Sequence, residues 1–366
     1  PKAVPLPDRE AIEALLPSPR DVDGEASVIP LHVVTSLDGA IAALGGENTT
    51  LPNWAKVQGF EGKAGQCLLL PNGQGEIEAA LVGATDRDGL PDPGFAVGAL
   101  ANQLPAGTYR LESPLADAGT ALCAFLLGSY RYTQFKKVSR GPVRLVSDDD
   151  TRALVVTQAR GVMFGRELIN TPANLLGPAA LAASARGLAE SFGASVTEIV
   201  GEDLLDADNA FPMVHTVGAA AKDAPRLVDI AWNGGADDAA RVTLVGKGVC
   251  FDSGGRNIKP GNSMALMKKD MGGAAAVLGL ARMIMEAKLP VRLRVLVPCV
   301  ENAIASEAFR PSDVLTSRKG LTVEIGNTDA EGRLILADAL AYGDEEAPDL
   351  MIDMATLTGA ARVALG

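Results

Sequence analysis

The sequence predicts an α/β protein of two domains. The N-terminal one is smaller. The larger C-terminal one has three layers (α/β/α), with helices on both faces of a mixed, mostly parallel sheet. Three observations carry this expectation. The chain has 366 residues, too many for one ordinary core and comfortable for two. Short apolar runs alternate with helical patterns along its length. In the second half those runs are nearly continuous, as expected of strands covered on both faces.

In the first part, LHVVT, QCLLLP, AALVGA and GTYRLE read as strands bounded by turn signals, and FAVGALANQL and ALCAFLLGSYRYTQF as helices. The polar, turn-rich segment KKVSRGPVRLVSDDD (136–150) marks the boundary, giving domains 1–145 and 146–366. The second domain opens with a helix over DTRALVVTQARGVMFGRELINT, stopped at Thr171-Pro172. GPAALAASARGLAESFG predicts another, ended by Gly193. Strands follow at RLVDIAWNG, RVTLVGKGV, VRLRVLVPCV, LTVEIGN and DLMIDMATL, with helices over 272–287 and RLILADALAYGDE.

Composition narrows the function. A net charge of −12 and a pI near 4.8 oppose attraction to phosphate backbones, so nucleic acid is not an expected partner. No apolar run reaches about 18 residues, so no membrane span is expected, and the first twenty or so residues lack an apolar signal core. Cys67, Cys123, Cys250 and Cys299 are scattered without a CxxC pair and read as buried thiols of a reducing, cytoplasmic compartment. The two histidines, His32 and His215, lie in apolar runs and read as packed side chains. Any metal is therefore held mainly by oxygen.

Two segments concentrate polar chemistry. VGKGVCFDSGGRNIKPGNSMALMKKDMGGAAAVLG (245–279) begins where a strand ends and turns glycine-rich. Ligands collect at the carboxyl ends of strands in α/β sheets. This segment delivers Lys247, Asp252, Lys259 and Asp270, the last just before a helix start, where its charge is favourable. Neither GxGxxG nor GxxxxGK[ST] occurs, which argues against a phosphate loop. The second segment, NTDAEGR (327–333), carries Asp329, Glu331 and Arg333.

Taken singly, each carboxylate reads equally as a helix cap or a surface charge. Together they form four acids at the ends of adjacent predicted strands. Two carboxylates about 4 Å apart repel by roughly 4 kcal/mol at an effective dielectric near 20. Four converging would take up protons unless cations joined them, and two divalent ions cancel their charge. In an extended chain Asp329 and Glu331 project to one side, which suits a pair reaching one cluster.

The segments VGKGVCFDSGG, NIKP, MKKDMGGAAAVLG, NTDAEGR and ATLTGA resemble the cytosolic leucyl aminopeptidase family, the dimetal M17 peptidases, over roughly residues 165 to 366. The resemblance implies two divalent ions, with Asp252 and Glu331 touching both. Lys247 and Asp270 would complete the tighter site, and the side chain and carbonyl of Asp329 the exchangeable one. Zinc is the implied metal, with Mn²⁺ or Mg²⁺ admitted at the exchangeable site. A lysine ligand must be neutral. Lowering its pKa from about 10.4 to below 7 takes about 4.6 kcal/mol, for which a dication is the source.

The same resemblance implies removal of N-terminal residues, leucine and other apolar ones, by water activated between two metals, with the free α-amine held at one ion. Lys259 would stay charged and steady the oxyanion. Arg333 would hold a bicarbonate acting as general base, its fork matching a planar anion. Met267 would flank the side-chain pocket, and Asn327, Thr356, Leu357 and Gly359 would complete the substrate-binding set. Peptides are the implied partners and a homo-hexamer the implied assembly. Arg256 departs from the pattern, standing where an apolar residue is expected. Family members continue well past ATLTGA, so the C-terminal part of the catalytic domain is expected to be missing from this sequence. Two other readings stand beside this one: a different carboxylate-dimetal hydrolase such as a phosphoesterase, and a catalytically idle oligomeric or DNA-binding protein.

Overall fold

Neighbouring residues of the central strands enter two different cores. Val228, Ile230, Leu244, Val295 and Val297 join one buried cluster, while Leu227, Val245, Leu296 and Val300 join another. Side chains alternate across a strand, so a run apolar at every position needs a cover on each face. The computed structural model of the chain describes residues 1–22, 28–44, 51–84, 96–113, 117–208 and 210–364.

Residues Pro7–Arg160 form one compact unit, and Pro1–Leu6 with Gly161–Gly366 the other. The first unit is built on β1 (Val28–Val34), β2 (Cys67–Pro71), β3 (Ile77–Gly83), β4 (Gly107–Leu111) and β5 (Val143–Val146), in the order β2-β3-β1-β4-β5. β2 runs antiparallel to β3, and the remaining pairs are parallel. Helix α1 (Ala118–Ser129) starts at Asp117, whose carboxylate accepts the Thr120 N–H at 2.9 Å. β5 lies in the stretch that reads as polar linker. Val143, Leu145 and Val146 are buried there, so four residues suffice to add an edge strand. Helix α2 (Asp149–Asn170) follows, and the change of unit falls inside it, where a continuous helix leaves no turn signal.

The second unit contains helix α3 (Pro178–Ser191) and β6 (Ser195–Val200), then α4 (Pro212–Gly218), β7 (Arg226–Asn233), β8 (Arg241–Gly246) and β9 (Gly248–Asp252). After these come α5 (Gly272–Glu286), β10 (Arg292–Asn302), β11 (Val314–Thr316), β12 (Thr322–Glu324), α6 (Gly332–Asp344) and β13 (Leu350–Met354). The main sheet runs β13-β8-β10-β7-β6, with β9 also on β10. β13, β8, β10 and β9 are parallel, and β7 and β6 antiparallel to their neighbours. Residues of α3 and α5 fill the first cluster, those of α4 and α6 the second.

Two expectations are corrected. LTVEIGN supplies no strand to the main sheet: its Thr322–Glu324 pairs only with β11 in a two-stranded ribbon. Thr322 and Glu324 are exposed, so this segment lacks the two-sided burial of the central strands. RVTLVGKGV is two strands, broken at Lys247, because β8 pairs with residues 292–296 of β10 and β9 with residues 299–302. Among the described residues no helix is long and apolar enough to cross a membrane.

Candidate metal centre

The break between β8 and β9 places Lys247. Its N–H bonds the Met354 carbonyl at 3.0 Å and its carbonyl accepts from Ala274 at 2.8 Å, so the backbone is held from two sides. The side chain is 3% exposed and its Nζ lies 2.8 Å from Asp270 Oδ2, 2.9 Å from Glu331 Oε1 and 3.3 Å from the Thr356 carbonyl. Asp270 sits in the 3₁₀ turn Met267–Met271 that leads into α5. Its second oxygen accepts the Thr356 hydroxyl at 2.8 Å.

Asp252 ends β9 and is 2% exposed. Its Oδ1 accepts from the Gly254 N–H and from Asn302 Nδ2, both at 2.9 Å, while Oδ2 lies 2.8 Å from Lys259 Nζ. The same Nζ is 2.5 Å from Asp329 Oδ1. Asp329 and Glu331 are not extended, as their alternation in the sequence suggested. Thr328–Ala330 is a 3₁₀ turn and Glu331 is αR at the head of α6. A turn capped by Asn327, whose Oδ1 accepts the Asp329 N–H at 2.8 Å, achieves the convergence instead.

Asp252, Asp329 and Glu331 each present an oxygen within 4.8 Å of the others. Burial pushes the Glu331 carboxyl up to about 7, with Lys247 opposing and Asp252 and Asp270 adding to the rise. Burial also raises Asp270, against the pull of Lys247. For both lysines burial works against the charge, and it is overcome by Glu331 and Asp270 at Lys247 and by Asp252 and Asp329 at Lys259, so both are raised.

The donor set fits divalent cations. Glu331 Oε2 is buried and has no hydrogen-bond partner among the described residues. Glu331 Oε1 and Asp329 Oδ1 are also buried, and they face the ammonium groups of Lys247 at 2.9 Å and Lys259 at 2.5 Å. A buried carboxylate oxygen without a partner, as Glu331 Oε2 is here, costs several kcal/mol unless a cation reaches it. Four carboxylates against two ammonium groups leave negative charge unbalanced. Oxygen donors with one lysine nitrogen are ligands such ions accept.

The remaining predicted residues are placed as follows. Arg333 is exposed just beyond Gly332, and its guanidinium makes no hydrogen bond or ion pair among the described residues. Met267 is half-buried at the start of the turn bearing Asp270. Thr356 belongs to the cluster through Asp270, whereas Leu357 and Gly359 are exposed on the segment after it. Arg256 turns away: its guanidinium donates to the carbonyls of Ala305, Ser306 and Ala308 at 3.0–3.2 Å. His215 pairs with Glu202 at 3.2 Å, and burial lowers the pKa of His32; neither joins the cluster. Asn302, Thr328 and Asn257 carry hydrogen bonds around the centre that sequence reading missed. Asn302 had one available signal, its position at the carboxyl end of a strand. A cavity of ≈ 560 Å³ lined by Arg241, Arg292 and Arg294 lies at the other end of these strands and shares no residue with the cluster.

Fold and site together define an α/β protein with a buried carboxylate–lysine cluster at the carboxyl ends of its strands. Residues 163–366 match the catalytic domain of the cytosol aminopeptidase family, and residues 29–147 the M17 aminopeptidase N-terminal domain. The chain belongs to the cytosol aminopeptidase family. It is 47% identical over 245 residues to a probable cytosol aminopeptidase of Xanthomonas oryzae pv. oryzae, covering 65% of this chain and 50% of that protein. The chain thus spans about half the length of the first curated relatives it matches. The crystal structure of the Coxiella burnetii cytosol aminopeptidase superposes with a TM-score of 0.84 at 44% identity, covering 93% of this chain and 74% of that one. The bottromycin maturation enzyme BotP in complex with Mn gives 0.77 at 31% identity, with 93% and 74% covered.

Proposed function

We propose that the chain carries the catalytic centre of a metal-dependent aminopeptidase that removes N-terminal amino acids, leucine and other apolar residues, from peptides. The observation that carries this reading is the convergence of four carboxylates on Lys247 and Lys259, with the buried Glu331 Oε2 left without a partner among the described residues, in a chain of this family.

Lys247, Asp252, Asp270, Asp329 and Glu331 would hold two divalent ions. Such ions, when bound, supply a water of lowered pKa and polarise the scissile carbonyl. Zinc is the expected metal. Mn²⁺ is supported by the relative described in complex with Mn.

Lys247 must give up its proton to act as a ligand, whereas Lys259 keeps its charge. The Lys259 ammonium, 2.8 Å from Asp252 Oδ2 and 2.5 Å from Asp329 Oδ1, would donate hydrogen bonds to the oxyanion as it develops. Arg333, free of a carboxylate partner among the described residues, would hold a bicarbonate serving as general base. The backbone around Thr356, Leu357 and Gly359, with Asn327, would line the peptide cleft, and Met267 would flank the side-chain pocket. A cytoplasmic homo-hexamer is the assembly this reading implies.

Hydrolysis of leucine p-nitroanilide and of p-nitrophenyl phosphate, each with added Mn²⁺ or Zn²⁺, tests the proposal. Release of nitroaniline is expected. Phosphate-ester cleavage without it would overturn the reading in favour of a phosphoesterase.

A further inference from the structure

We propose that Asn302 is a positioning residue of this centre, its carboxamide tying the Asp252 carboxylate and the Asp329 turn into one frame. The inference rests on the metal reading above and deepens it.

Asn302 ends β10 and is 1% exposed. Its Nδ2 donates to Asp252 Oδ1 at 2.9 Å and to the Thr328 carbonyl at 3.1 Å, which uses both amide hydrogens. Its backbone carbonyl accepts the Ser253 N–H at 3.2 Å and the Ser253 hydroxyl at 2.6 Å. Asp252 and Asn302 are register partners immediately after an irregularity in the β9–β10 ladder. Such an irregularity re-aims a side chain, here the Asp252 carboxylate.

The amide can point only one way. A flipped Asn302 would set its oxygen against Asp252 Oδ1, two acceptors facing each other in a buried site. With Oδ1 of Asp252 occupied by Asn302 and the Gly254 N–H, Oδ2 is the oxygen turned toward Lys259. An aspartate at 302 would replace the donor by a fifth carboxylate.

Thr328, fully buried, completes the frame. Its hydroxyl donates to the Gly254 carbonyl at 2.6 Å and accepts the Asn257 N–H at 2.8 Å, and its own N–H reaches Asn257 Oδ1 at 2.8 Å. The loop after β9 and the turn before α6 are therefore stitched by side chains that are not themselves candidate ligands. These bonds, together with the Lys259 ammonium that pairs with both carboxylates, hold Asp252 and Asp329 at their separation against their repulsion.

The test is calorimetric titration of Mn²⁺ into metal-stripped wild type and Asn302→Asp, Thr328→Val and Thr328→Ser, with folding followed by circular dichroism. Asn302→Asp and Thr328→Val are expected to bind Mn²⁺ about 10–100-fold more weakly, as losses of outer-shell partners do. Thr328→Ser keeps the hydroxyl and should stay within about threefold of wild type, which a role in packing the methyl group alone would not give. Should Asn302→Asp fail to fold, the Thr328 pair decides. Folded Asn302→Asp and Thr328→Val binding within about twofold of wild type would overturn the inference while leaving the metal reading intact. A wild type that binds no Mn²⁺ or Zn²⁺ would overturn the metal reading, and this inference with it.

Discussion

Gly332 is packed against Lys247 so closely that a β-carbon on the glycine would lie 2.8 Å from the lysine Nζ and overlap its Cε. Space, not a left-handed backbone, is the constraint here: a β-carbon would push the end of the lysine side chain aside. The first residue of α6 must let the lysine pass to reach Glu331.

Gly332→Ala should therefore displace the Lys247 ammonium although alanine is the better helix former. Turnover is expected to fall about 100-fold, the scale of a catalytic group misplaced by about 1 Å. Peptidase assays check this, and activity within about twofold of wild type would show that Lys247 has room elsewhere.

Glu331→Gln keeps the shape of the side chain and removes one of the charges proposed to hold the metal ions. Mn²⁺ binding and leucine anilide hydrolysis should both be lost, while the metal-stripped variant melts no lower than wild type, because Lys247 keeps Asp270 as its partner and the surplus of carboxylates falls by one. Chelation of the wild type should abolish hydrolysis, and added Mn²⁺ or Zn²⁺ should restore it. Calorimetry, melting curves and activity after chelation read these outcomes.

Arg333→Ala should spare metal binding and lower kcat by about 100-fold, the low end for a general-base contribution. Calorimetry and steady-state kinetics separate the two effects. Loss of metal in this variant would contradict the anion-holding role.

Arg256→Ala removes the hydrogen bonds to the carbonyls of Ala305, Ser306 and Ala308. A loss of about 1 kcal/mol is expected, since these groups are partly solvated. Mn²⁺ affinity should stay within about threefold, because the guanidinium faces the 305–308 loop and not the cluster. Denaturant titration and calorimetry check the pair of outcomes.

The sequence by itself determined the covered sheet and the acids and lysines that meet at its edge. Runs such as RVTLV and VRLRVLV are apolar at most positions because both faces of each strand are buried, and that pattern needs no partner to be read. Lys247, Asp252, Asp270, Asp329 and Glu331 were legible because they sit in two short glycine-bearing segments at strand and helix ends. The tertiary structure decided how they meet. It broke the β8–β9 run at Lys247, where pairing along β10 leaves a gap. It moved Thr322–Glu324 out of the main sheet, made a turn of the residues around Asp329, and added β5 from a polar stretch. It also joined Asn302 to Asp252 across 50 residues of chain. A hydrogen bond between distant residues leaves no periodicity in the sequence, because its partner is chosen by strand register and by the exclusion of water, and both exist only once the chain has folded.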